Sequence, residues 1–243
     1  MRAAAAAGLL ALATAVTGCG SATRGASPST TTLSPTVLAD RTVAEQALLR
    51  QSDLPPGWTT APPEGSPTDP DLQRLRAECL QLDPSAPGEG ARTVNGPDFE
   101  LRQTQQKVQD WVEVLSTSAD AHQRFAALDR PEAAACLSSA MGEVIRKGLA
   151  NPGPEERVPS GVSFGDVSTQ RISYPTVGDA TVAYRVALPL EAAGERSTVY
   201  TDFVVAIKGR ARTMLAFLSL GSPFPSDLAA QLTQAVVERL PPA

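Results

Sequence analysis

The chain has 243 residues, 21 of them basic and 26 acidic, with a formal charge of −5 and a single histidine. No basic run interrupts it, which argues against a nucleic-acid partner and against binding to anionic lipid by charge alone. One histidine and three cysteines, with no C-x-x-C or H-E-x-x-H pattern, leave no residue set for a metal centre and none that implies a cofactor.

Residues 1–18 have the three parts of an export signal: Arg2 as the only charge, an apolar stretch from Leu9 to Val16, and small residues after it. The stretch is shorter than the roughly 20 residues a spanning helix requires. The order Val16-Thr17-Gly18-Cys19 resembles the bacterial lipobox, in which cleavage falls between Gly18 and Cys19 and Cys19 becomes the lipid-bearing first residue. The alternative is a plain secretory signal with Cys19 an ordinary thiol. The resemblance implies a thioether diacylglycerol on Cys19, with acyl chains of the palmitate kind. Each buried methylene contributes about 0.8 kcal/mol, so two or three chains give a stable anchor. This puts the protein on the extracytoplasmic face of the cell membrane.

Residues 19–41 are rich in Ser, Thr, Ala, Gly and Pro and cannot bury enough apolar surface to fold. They are expected to form a disordered tether, with residues 42–243 as the displayed domain. Assigning Cys19 to lipid leaves Cys79 and Cys136, an even number in an oxidising compartment. A Cys79–Cys136 disulfide is the natural reading, two buried thiols the alternative. Closing a loop of that size contributes about 4 kcal/mol in the chain-entropy model.

The domain is expected to open with a helix from Val43 to about Gln51, stopped by Pro55-Pro56-Gly57. An irregular stretch then runs to Pro97, holding one short helix, Pro70 to Leu80, that carries Cys79. A strand falls within Gln103–Ser116, where Val108, Val112 and Val114 share one parity and Asp110 interrupts them. Ser118 is expected to cap a helix with Ala121, Phe125 and Leu128 on its buried face. Pro131 starts another helix, reaching about Gly148 with Leu137, Met141, Val144 and Ile145 as its stripe and ended by Asn151-Pro-Gly-Pro154. A weak strand spans about Val162–Tyr174. Alternation from Ala180 to Leu190, again from Val199 to Ile207, and a turn at Lys208-Gly209-Arg210 into Thr213–Leu220 predict a three-strand meander. A helix from Ser226 to about Leu240 closes the chain. Strands of this kind have a face that a helix must cover, which makes the fold class α+β: one domain, helices on a twisted antiparallel sheet.

The order of lipobox, Ser/Thr/Pro tether, Leu48-Leu49…Asp53-Leu54-Pro55-Pro56-Gly57-Trp58, helical Cys, meander and final amphipathic helix resembles actinobacterial cell-envelope lipoproteins. It is similar to the extracellular sensor domains of mycobacterial receptor kinases of the PknH type, over about residues 43–240. The preference for Arg, Ala and Pro over Lys resembles a GC-rich actinobacterial genome. Those sensors generally carry two disulfides, where this chain has cysteines for one.

Chemistry is sparse. Gly161-Val162-Ser163-Phe164-Gly165 matches G-x-S-x-G, but strand follows it and His122 lies upstream, so the hydrolase order of Ser and His is impossible. His122 reads as a surface residue. Glu155-Glu156 falls in a Pro/Gly-rich loop and reads as solvating it. Trp58, in a loop after Pro-Pro-Gly, is the candidate for stacking on a ligand, with folding back onto the core as its alternative; Trp111 reads as sheet packing. The leading expectation is a non-catalytic domain that binds an envelope ligand or protein. A carrier of lipid or another hydrophobic molecule is the second reading, and an unrecognised hydrolase the third.

Overall fold

The alternating C-terminal third builds the frame on which everything else is placed. The computed structural model describes residues 34–61, 93–150 and 161–241. Its strands are β1 Thr59–Ala61, β2 Thr93–Asn95, β3 Asp98–Leu101, β4 Gln106–Val114, β5 Val162–Phe164, β6 Ser168–Arg171, β7 Ala180–Ala192, β8 Glu195–Lys208 and β9 Ala211–Leu220. They form one sheet in the order β1-β3-β4-β9-β8-β7-β5, with β2 on β4 and β6 on β7, and every pairing is antiparallel. The expected meander is β7-β8-β9. Its first turn, Ala193-Gly194, has φ of 54° and 82°, the two-residue mirror-image turn whose twist matches that of the strands.

The helices are α1 Pro35–Ala47, α2 Ser118–Leu128, α3 Ala133–Ala150 and α4 Ser226–Arg239. The fold is α+β, as expected, but helices lie on both faces of the sheet. On the first face Ala44 and Ala47 of α1 and Leu232 and Val236 of α4 join Val108, Val112, Val204, Leu215 and Phe217 in one buried cluster. Full burial of a side chain such as Leu232 contributes about 2 kcal/mol. On the second face Ala121 and Phe125 of α2 pack with Val182, Tyr184, Val205 and Ile207. The unbroken apolar run Val204–Ile207 follows from this, because both parities of the strand meet a helix.

Several expectations are corrected. Helix α1 begins at Pro35 rather than Val43, so it takes in the last residues of the segment read as a tether. The Ser34 hydroxyl accepts from the Val37 N–H at 3.3 Å and Pro35 occupies the first turn, a start signal hidden by the polar composition around it. The helix ends at Ala47, and Gln51–Asp53 is a separate 3-10 turn. Thr117, not Ser118, caps α2 by accepting from the Asp120 N–H at 3.1 Å. The stretch read as irregular up to Pro97 contains β1 and β2. The helix expected at Pro70–Leu80 and the Asn151–Pro154 stop lie outside the described residues.

The strand expected over Val162–Tyr174 is two, β5 and β6, both on β7. Pro189 of β7 has no N–H to give to the ladder. Gly165 sits against it, close enough that a Cβ there would lie 3.1 Å from the proline Cβ, and its N–H donates to the Pro189 carbonyl at 2.8 Å.

Candidate functional site

Among the described residues, α2 and α3 cover part of the second face. Helix α2 lies against β8 and β9, and α3 against β6. The Tyr184 hydroxyl donates to the Leu128 carbonyl at 2.5 Å, which fixes where α2 ends above the sheet. On the same face, out to that end and beyond it, the strands continue with Trp111, Phe203, Met214, Leu218, Val199 and Leu188, all half-buried. Cross-strand register places Trp111 beside Met214, Leu218 beside Thr201, and Val199 beside Leu188. Opposed neighbours lie about 5 Å apart and diagonal ones about 7–8 Å, so the six side chains lie in one apolar sector that Thr201 interrupts.

Its charged margin is neutralised pair by pair. Lys107 Nζ meets Asp98 Oδ2 at 2.7 Å with both side chains buried, and Gln109 donates to the other oxygen of Asp98 at 2.9 Å. At the opposite end Glu113 accepts from Arg212 at 2.6 Å and faces Arg124 of α2 at 3.5 Å. An apolar floor between satisfied ion pairs suits an apolar or amphipathic surface.

The first face differs. Trp58 is 5% exposed and belongs to the core. Its ring lies 6.0 Å from that of Phe224, which lies 5.0 Å from Phe217, and its carbonyl accepts from Gln51 Nε2 at 2.9 Å. The candidacy of Trp58 for stacking on a ligand is therefore withdrawn, since a ring packed into an aromatic trio has no free face. Arg185 holds Asp202 through two hydrogen bonds of 2.6 and 2.7 Å, which raises the guanidinium above its ordinary range. Burial pushes the Tyr174 hydroxyl up to about 12 against the opposing bond to Thr233, 2.7 Å long.

The other sequence-derived residues fall apart from one another. Ser163 is exposed in the middle of β5, opposite Glu191, and not on the strand-to-helix elbow that nucleophilic hydrolysis uses. His122 is exposed on α2 and Cys136 half-buried on α3. Gly18, Cys19, Cys79 and Glu155-Glu156 lie outside the described residues, and so does any Cys79–Cys136 bond. Among the described residues, no three His, Cys, Asp or Glu side chains converge on a metal position, and no helix is long and apolar enough to cross a membrane.

Sequence reasoning passed over Asp110, noted only as an interruption of the β4 pattern. It is 1% exposed, and burial pushes its carboxyl up to about 7 against the lowering effect of the Leu49 N–H and of Arg239. A charged residue at an inward parity between Val108 and Val112 was the available signal.

No protein-family model matches the chain, and no curated protein does. Among solved structures it is similar to the extracellular domain of PknH from Mycobacterium tuberculosis, at 12% identity and TM-score 0.38, over 82% of this chain and 95% of that one. It is also similar to an uncharacterised protein of Mycobacterium smegmatis, the Rv0999 ortholog, at 14% identity and TM-score 0.38, over 83% and 97%. A third is LpqN, involved in cell envelope biogenesis of Mycobacterium tuberculosis, at 16% identity and TM-score 0.21, over 76% of each chain.

Proposed function

We propose that the chain is a lipoprotein cut before Cys19 and lipidated there, which displays a non-catalytic, sensor-like binding domain outside the cytoplasmic membrane. The anchor rests on Val16-Thr17-Gly18-Cys19. The binding role rests on the apolar sector of the second face, where Trp111, Phe203, Met214 and Leu218 stay half-buried between ion pairs that already satisfy each other. A disulfide from Cys79 to Cys136 belongs to the same reading, as an exported domain of this size gains stability from one. The carrier reading is the second, favoured by the apolar character of that floor, along which an acyl chain can lie. Neither reading calls for a cofactor.

Two measurements test this. Replacing Cys19 by Ala should move the protein out of the detergent phase; unchanged partitioning overturns the anchor. Crosslinking in the native envelope should capture a lipid or protein on the wild-type chain that Phe203→Glu loses. Equal capture by both chains removes the second face as the site, and the chemical nature of the captured species separates sensor from carrier.

A further inference from the structure

The buried carboxylate of Asp110 sits where the first helix meets the sheet. Residues Leu48–Arg50, between α1 and the 3-10 turn, cross the first face with their backbone groups turned toward side chains instead of a ladder. The Leu48 carbonyl accepts from Arg239 of α4 at 2.8 Å, the Leu49 N–H donates to Asp110 Oδ2 at 2.9 Å, and the Arg50 N–H donates to Asp53 at 2.8 Å. Leu49 itself is 2% exposed. Asp110 is therefore the only one of these three grips that comes from the sheet, and its strand, β4, lies against α1.

The second oxygen of Asp110, Oδ1, is buried and has no hydrogen-bond partner. It faces Gly96, where a Cβ would come within 2.0 Å of it, and the Gly96 N–H is committed to the Asp110 carbonyl at 2.8 Å. Among the described residues, the charged groups acting on the carboxyl are Arg239 of α4, which is also paired with Asp53 of the 3-10 turn, and Asp98 of β3, which is paired with Lys107. Among the described residues, the cation acting on it is thus shared with another carboxylate, and two acids oppose ionisation. Opposite it in register is Leu215 of β9, which offers no polar atom from its side chain.

We propose that Asp110 is a pH-sensitive latch between the sheet and the segment that follows α1: closed while its carboxyl is neutral, loosened when the carboxyl ionises. An ionised Asp110 gains strength in its bond to Leu49 but leaves a charge on an oxygen with no partner, and the cost of burying that charge is the larger effect. Opening the Leu48–Arg50 segment lets water reach it. The sign follows from proton binding. The closed form keeps its proton up to about pH 7 and the opened form only to about 4, so the preference for the closed form falls as pH rises between those values and is level above them. The latch does not depend on what the second face binds.

Amide hydrogen exchange of Leu49, measured on the full-length protein in detergent micelles and corrected for intrinsic rates, reads the latch directly. Protection at Leu49 should fall about tenfold per pH unit from pH 5 to about 6.5 and flatten above 7, while amides in the centre of β8 hold steady. In Asp110→Asn, which keeps an acceptor for Leu49 but cannot ionise, the dependence should vanish. A wild-type profile without the fall, or the same fall in Asp110→Asn, overturns the proposal. Should the variant not fold, the side-chain carboxyl carbon resonance of Asp110 in the wild-type protein decides: a midpoint near 7 supports the latch, one below 5 overturns it.

Discussion

The two faces of the sheet are built from the same strands and end in different states. The first is closed along its length by α1, α4 and the Trp58–Phe224–Phe217 trio, and it brings together the N-terminal and C-terminal helices of the domain. Among the described residues, the second is covered by α2 where Val182, Val205 and Ile207 lie and by α3 over β6, and Phe203 and Leu218 beyond them are half-buried. The contrast separates holding from displaying: one face carries the stability, the other carries apolar surface that folding leaves partly unused. The two tryptophans of the chain fall on opposite sides of that division, one in each face.

That division can be challenged with single substitutions. Trp58→Ala should cost about 3–5 kcal/mol in a denaturant melt, as for removal of a fully buried aromatic, while Trp111→Ala should cost about 1–2. Equal losses would mean that the second face is as closed as the first. Gly96→Ala comes next, at about 2–4 kcal/mol, because the added methyl must displace the Asp110 carboxyl and break its bond to Leu49. A neutral outcome would show that the first face yields at that point. The smallest effect belongs to the hairpin that leaves both faces: Ala193→Asn relieves a positive φ of 54° and should raise stability by about 0.5–1 kcal/mol, read as a higher Tm.

How much of this was legible in sequence depended on whether local pattern and tertiary context agreed. The meander and α4 were readable because Ala180–Leu190, Val199–Ile207 and Leu228–Leu240 repeat with the period of their element. The start of α1 was not, since its residues are largely polar and its docking depends on Asp40 meeting Arg210, 170 positions away, at 2.6 Å. β1 and β2 escaped because three residues show no period. Trp58 was weighed both ways, and only Phe224, from the connection between β9 and α4, decided it. Asp110 stood in plain view as a charge at an inward position, but its meaning required Leu49 and Gly96 to be brought to either side of it. The half-open sector could not be read at all, because an alternating strand does not say how far along its length a helix reaches.

The break between β5 and β6 has a consequence for life in a crowd. Among the described residues, one margin of the sheet is formed by β1 and β2, of three residues each, and the other by β5 and β6, of three and four, separated where Gly165 meets Pro189. A long, straight margin would offer neighbouring copies a template for strand-to-strand association. Short, interrupted margins deny that template, so the domain can be packed densely without its sheets joining.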